Sequence, residues 1–172
     1  VDYVLHQAAL GSVSRSIENP YDTNNSNVTG FLNILIASRD QRVKRVVFAS
    51  SSSVYGDDRN LPKLEEQVGK ALSPYAATKK INEIYAEVFA ENYKLETVGL
   101  RYFNVFGRKQ DPNGAYAAVI PLFVKQLINK KSPVINGDGT YSRDFTYIDN
   151  VIQINVLAMT SENQAALNQV YN

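Results

Sequence analysis

The sequence predicts an α/β fold, a parallel sheet with helices on both faces. Three observations carry that expectation. Short apolar runs recur at residues 1–7, 43–50 and 95–101. Between them, apolar residues recur at helical spacing. Small residues and serines gather where the apolar runs end, which is where open α/β sheets hold ligands. Strand and helix alternating in this way argue for parallel pairing.

Residues 1–7 read as a buried parallel strand, followed by the small residues Ala8-Ala9-Leu10-Gly11. His6 is the only histidine; with no second ligand nearby it reads as a packed strand-end residue. Asn19-Pro20 matches a helix N-cap with proline at the first position. Val28, Phe31, Leu32, Leu35 and Ile36 then form one apolar helix face. Asn24, Asn25 and Asn27 lie in the first half of that helix and are poor helix formers. Residues 43–50 are the second strand, running into four serines, Ser50 to Ser53, and Val54-Tyr55-Gly56. A charged loop over 57–72 leads to a helix from Ser73, with Ile81, Ile84, Tyr85, Val88 and Phe89 expected on its core face. Residues 95–101 are the third strand, extended by 102–107. A turn follows at Asp111-Pro112-Asn113-Gly114. Then come a helix near Pro121, a strand and turn at 134–139, a short strand at 143–148 and a helix over 151–160 capped by Asp149. The last residues, 168–172, read as the start of another element.

The 172 residues suffice for a full core. The net charge is +1 with both signs interleaved, so no nucleic-acid footprint or polybasic membrane patch is expected. There is no cysteine, which excludes a disulfide framework, a thiolate nucleophile and a zinc–thiolate site. No run spans a bilayer, and no metal is expected. The chain opens in what reads as a strand interior, without a methionine, and so reads as an internal fragment.

The stretch that carries chemistry is Ser73-Pro74-Tyr75-Ala76-Ala77-Thr78-Lys79. Ser73 suits an N-cap and Pro74 the first helical position. A helix starting there puts Tyr75 and Lys79 on one face. A free tyrosine has a pKa of about 10, so a base working near neutrality needs about 4 kcal/mol of extra phenolate stabilisation. The lysine ammonium and the helix N-terminus both favour the phenolate, and a lowered Tyr75 pKa is expected.

The serine run before Val54-Tyr55-Gly56, the Tyr75/Lys79 pair and Arg101-Tyr102-Phe103-Asn104 occur here in one order. Together they resemble the extended short-chain dehydrogenase/reductase superfamily. The nearest resemblance is to UDP-sugar 4-epimerases of the UDP-N-acetylglucosamine or UDP-N-acetylgalacturonate type, suggested by residues 101–121. The resemblance implies a Rossmann-like doubly wound parallel sheet with part of a small substrate-binding domain. The glycine-rich phosphate-binding turn of that fold is not in this sequence and is expected upstream. Residues 1–112 would belong to the NAD-binding domain, 113–147 to the substrate segment, and 148–172 to the return into the NAD-binding domain.

By the same resemblance the catalytic set is Ser51, Tyr75 and Lys79, with NAD as cofactor. Ser51 would hydrogen-bond the sugar 4-oxygen. Tyr75 would take the 4-hydroxyl proton. Lys79 would tune Tyr75 and hold the nicotinamide ribose. Ala8, Ala9, Leu10, Asn27, Ser50 and Phe103 complete the implied NAD contacts. Asn104 and Arg143 correspond to UDP-sugar groups, the arginine fork suiting a diphosphate. Val119, Ile135 and Asn136 would line the uridine site. Gly11, Ser52, Gln110 and Ala118 would wall the sugar. The implied reaction is NAD-dependent 4-epimerisation through a 4-keto sugar, by a cytoplasmic homodimer. UDP-glucose and UDP-glucuronate are the alternative substrates. A nucleotide-sugar 4,6-dehydratase ranks lower, because it carries Asp-Glu where this chain has Ser52 and Ser53. Decarboxylation ranks lower for want of the matching acid. A non-catalytic NAD-sensing relative conflicts with an intact Ser/Tyr/Lys set.

Overall fold

The computed structural model describes residues 1–111 and 118–172. The expected turn at 111–114 lies mostly outside them. The elements in chain order begin with β1 (Tyr3–His6), α1 (Val13–Glu18) and α2 (Pro20–Asn24). A π-helical turn (Asn25–Thr29) joins α2 to α3 (Gly30–Asp40). β2 (Arg45–Ala49), a 3-10 turn (Ser52–Tyr55), α4 (Pro74–Tyr93) and β3 (Glu96–Leu100) follow. The remainder is β4 (Asn104–Phe106), α5 (Val119–Ile128), β5 (Phe145–Tyr147), α6 (Ile148–Thr160), a 3-10 turn (Gln164–Ala166) and β6 (Gln169–Tyr171). No helix of the described residues is long and apolar enough to cross a membrane.

The chain divides into two compact units, one of residues 1–102 with 154–172, the other of residues 103–153. In the first unit four strands pair in the order β1-β2-β3-β6. Every pairing is parallel, with Tyr3 opposite Arg45, Arg45 opposite Glu96 and Leu100 opposite Tyr171. The carboxyl ends of the strands therefore line up at His6, Ala49, Leu100 and Tyr171. Val46, Val47 and Phe48 are buried from both sides. Alternation along β2 divides them between two cores. Val46 and Phe48 pack with Phe31 and Leu35 of α3 and with Ala86 and Phe89 of α4. Val47 packs with Val98, Leu100, Leu167 and Ala158 of α6. Helices thus cover both faces, the doubly wound α/β arrangement expected of a Rossmann-like sheet. A Cβ on Gly99 would stand 2.7 Å from the Phe48 ring, which fills the space a side chain there would take.

Several expected details differ. Helix α1, capped by Ser12 accepting from the Arg15 amide, was not anticipated. Ile84 and Val88, expected in the core, are 52% and 42% exposed, and α4 turns Ala76, Thr78, Lys79, Asn82 and Ala86 inward instead. Helical period fixes a stripe but not which neighbour it meets. Residues 134–136 form no strand. Asp149 lies in the first turn of α6, one residue inside it, rather than capping it.

In the second unit, β4 and β5 pair in parallel, Asn104 opposite Phe145 and Phe106 opposite Tyr147. Asn104 fixes the entry to this pair by donating both its amide N–H (3.2 Å) and its Nδ2 (2.9 Å) to the Asp144 carbonyl.

Candidate active site

Ser51 is the second residue beyond the carboxyl end of β2. Its backbone is extended, and its Oγ accepts from the Ser53 amide, which starts the 3-10 turn. Tyr75 is the second residue of α4, whose N-cap Ser73 accepts from the Ala76 amide at 3.1 Å. The cap and Pro74 fix where the helix begins, and so where the tyrosine projects. The Ser51 hydroxyl faces the Tyr75 phenol closely enough to favour its ionised form. Lys79, one turn further along α4, is buried and donates to the Ala49 carbonyl at 2.7 Å.

Burial raises the Tyr75 pKa above its ordinary value, and the Ser51 hydroxyl opposes that rise. Burial lowers Lys79 to about 8. This corrects the expectation of a phenol already acidified by its neighbour. The ammonium turns to the Ala49 carbonyl and stands 6.0 Å from the Tyr75 ring centroid. Desolvation of the phenol then outweighs the lysine. His6, at the end of β1, stacks on Phe31 with ring centroids 5.3 Å apart. Its pKa is lowered by burial and then by the Lys79 charge.

Asn27 sits on the π-helical turn, a local widening often found at functional sites. Its Oδ1 accepts from the Leu10 amide at 2.8 Å, and its Nδ2 donates to the Leu10 carbonyl and to Thr78 Oγ1, both at 3.2 Å. One side chain therefore pins the loop after β1 to α4. Thr78 and Asn82 complete that junction. With its amide nitrogen toward the main chain, Asn82 donates to the Asn27 and Thr78 carbonyls at 3.0 and 3.1 Å. Sequence reasoning missed both. The available signal was a pair of short polar residues on the inward face of a helix.

The loop residues Ala8, Ala9, Leu10 and Gly11 leave the carboxyl end of β1, and a Cβ on Gly11 would meet nothing within 4 Å. Ser50 is buried and turns its hydroxyl to the Glu83 carboxylate. The Ser52 amide donates to the Tyr102 carbonyl at 3.0 Å. The first unit therefore brings Leu10, Asn27, Ser50, Ser51, Ser52, Tyr75 and Lys79 to the carboxyl ends of β1 and β2. In the second unit, Asn104, Ala118, Val119, Ile135, Asn136 and Arg143 line one concavity of about 1010 Å³ with Phe123 and Tyr141. Gln110 instead donates to the Val105 carbonyl at 3.4 Å. Phe103 is half-buried at the start of this unit.

A parallel α/β sheet with polar groups gathered at its strand carboxyl ends is the architecture on which nucleotide ligands are held. The model of the NAD dependent epimerase/dehydratase family matches residues 1–172, and the chain belongs to that family. A solved UDP-N-acetylglucosamine 4-epimerase from Methanobrevibacter ruminantium M1, in complex with UDP-N-acetylmuramic acid, superposes with a TM-score of 0.94 at 46% identity, covering 99% of this chain and 54% of that one. A UDP-glucose 4-epimerase from Thermus thermophilus in complex with NAD gives a TM-score of 0.87 at 36% identity, covering 99% and 55%. A UDP-glucuronate 4-epimerase from Thermodesulfobacterium geofontis is 40% identical over 151 residues, 88% of this chain and 46% of that protein. The chain spans about half the length of the curated relatives it matches.

Proposed function

We propose that the whole protein is an NAD-dependent UDP-sugar 4-epimerase, working on UDP-N-acetylglucosamine or its C4 epimer. The observation that carries this reading is Ser51 facing Tyr75 beside buried Lys79 near the carboxyl end of β2. The sugar is argued from the 46%-identical relative, a UDP-N-acetylglucosamine 4-epimerase.

The residues fit the cofactor. Ala8, Ala9 and Gly11 offer small side chains, and Lys79 uses one of its three donors on Ala49. Lys79 would hold the ribose hydroxyls at the nicotinamide end, and Ser50 and Phe103 complete that contact set. When bound, NAD supplies hydride transfer at C4 and a cationic ring whose charge favours a phenolate.

Ser51 orients the sugar 4-oxygen. Tyr75 takes the 4-hydroxyl proton as the 4-keto sugar forms and returns it to the oxygen when the carbonyl is reduced on its other face. Ser51, by hydrogen bonding, holds charge developing on that oxygen. Gly11 and Ser52 give the sugar room, while Arg143 and Asn104 are assigned to the diphosphate and Val119, Ile135 and Asn136 to uridine. Ser52 and Ser53 offer no carboxylate, so elimination of water lacks its acid and base. Exposed Ile84 and Val88 on α4 support a homodimer, and the enzyme is assigned to the cytoplasm.

Incubating the whole protein with UDP-N-acetylglucosamine, its uronate, UDP-glucose and UDP-glucuronate, and reading C4 stereochemistry by proton NMR, tests the reading. Interconversion of the C4 epimers of an N-acetylated substrate supports it. Conversion of none of the four overturns it.

A further inference from the structure

Ser51 and Tyr75 stand on different elements, yet their proposed chemistry needs both within reach of one sugar oxygen. Something must fix β2 against α4. Glu83 lies on α4 two turns beyond Tyr75, about 12 Å along the axis at 1.5 Å per residue. Its Oε1 accepts from Ser50 Oγ and, at 3.0 Å, from Arg101 Nε. Its Oε2 accepts from Arg101 Nη2 at 2.9 Å. Arg101 follows directly on β3. Its remaining fork arm, Nη1, donates to Tyr55 Oη at 3.1 Å and to the Glu65 carbonyl at 2.9 Å. The guanidinium also lies 5.0 Å from the Tyr55 ring centroid. The side chains of Arg101 and Glu83 are only 5% and 12% exposed.

The chain on both sides of Ser51 is therefore tied to one ion pair. Ser50, just before it, is held by Glu83. Tyr55, which ends the 3-10 turn that Ser51 begins, is held by Arg101. The pair itself stands on the helix that carries Tyr75. We propose that Glu83 and Arg101 are positioning residues that set the Ser51–Tyr75 separation. A buried ion pair is a poor source of stability compared with apolar packing, so its use here is geometric. A carboxylate with both oxygens occupied fixes direction as well as distance, which an apolar contact does not. This inference deepens the epimerase reading and rests on it for its kinetic consequence, although the geometric claim stands apart from any substrate.

The test uses Glu83→Gln in the whole protein. The change keeps the shape but removes the charge and puts an amide N–H₂ where an acceptor is needed. A misplacement of about 1 Å costs on the order of 10²-fold in rate. The expected result is a kcat lower by about that factor, with KM within about threefold and bound NAD retained. A crystal structure of the variant is expected to show the Ser51 Oγ–Tyr75 Oη separation changed by about 1 Å from wild type. A purely structural pair would lower the melting temperature and leave kcat per folded molecule alone. That result, or an unchanged Ser51–Tyr75 separation, overturns the proposal. Ser50→Ala removes one hydroxyl from the clamp and serves if Glu83→Gln does not fold. It is expected to lower kcat about tenfold in the same pattern, and wild-type kcat overturns the proposal. Wild-type protein that converts no UDP-sugar would sink the epimerase reading. The crystallographic separation would still decide the clamp.

Discussion

Two buried arginines stand at opposite ends of one parallel sheet. Arg45 opens β2, and its Nε and Nη2 donate to Glu96 Oε2 on the neighbouring strand at 2.9 and 2.8 Å. Its Nη1 reaches the Ala158 and Met159 carbonyls in the last turn of α6 at 2.8 and 2.9 Å. A cation there satisfies carbonyls that a helix end leaves open. Arg101, at the carboxyl ends, also pairs with a glutamate, its Nε and Nη2 each taking a different oxygen of Glu83. The chemistry is alike and the neighbours differ. Around Arg45 there are strands and a helix terminus. Around Arg101 there are Ser50, the turn begun by Ser51, and the helix carrying Tyr75. One pair joins sheet to helix, while the other joins parts of a site.

That contrast predicts opposite partitions between stability and rate. The largest effect is expected at the carboxyl end from Tyr75→Phe. In the whole protein it should lower kcat by about 10³-fold, within the range for losing a general acid–base. Only the phenol hydroxyl is lost, so stability should change by no more than about 1 kcal/mol. Steady-state rates and urea unfolding check both halves. At the amino end, Arg45→Ala strands Glu96 and two helix carbonyls. It should destabilise by about 3–5 kcal/mol, the range for breaking a buried pair. Its kcat per folded molecule should stay within about twofold of wild type. A large kcat loss there would break the distinction between the two ends.

The smallest effect sharpens the comparison by pH. The folded Lys79 pKa of about 8 lies below its ordinary 10.5. Between those values the unfolded chain holds the proton that the folded chain has released, so stability rises with pH through that window. Below about pH 8 the burial penalty is fully present, roughly 3 kcal/mol. Lys79→Met should therefore be more stable than wild type at pH 7, by up to that amount less the lost bond to Ala49. The difference should shrink toward pH 10.5. Unfolding titrations at pH 7 and pH 10 measure it.

Much of the architecture was legible because local chemistry agreed with the fold. Ser73-Pro74 and Asn19-Pro20 marked helix starts that the structure keeps. Apolar runs bounded by small residues gave β1, β2 and β3. The strand order was not legible, since β6 joins β3 through contacts far apart in sequence. Helix α1 has only six residues, and Ser12 was its sole marker. On α4 the apolar spacing pointed at Ile84 and Val88, while polar Thr78 and Asn82 took the buried positions to bond Asn27. That Tyr75 and Lys79 share a helix was readable from their spacing, whereas Ser51 came only with the resemblance. Lys79's direction was not, because a lysine four residues from a tyrosine has several rotamers and burial selected the one on Ala49. Nothing in the sequence around Glu83 singled it out. Its role follows only from the meeting of three elements.

The central claim is that hydrogen leaves one sugar carbon and returns to that carbon. Its most direct test is proton NMR of UDP-N-acetylglucosamine incubated with the whole protein in D₂O. The account predicts the C4 epimer with protium still at C4. Solvent deuterium at C4, or a product that has lost its 6-hydroxyl, would contradict it.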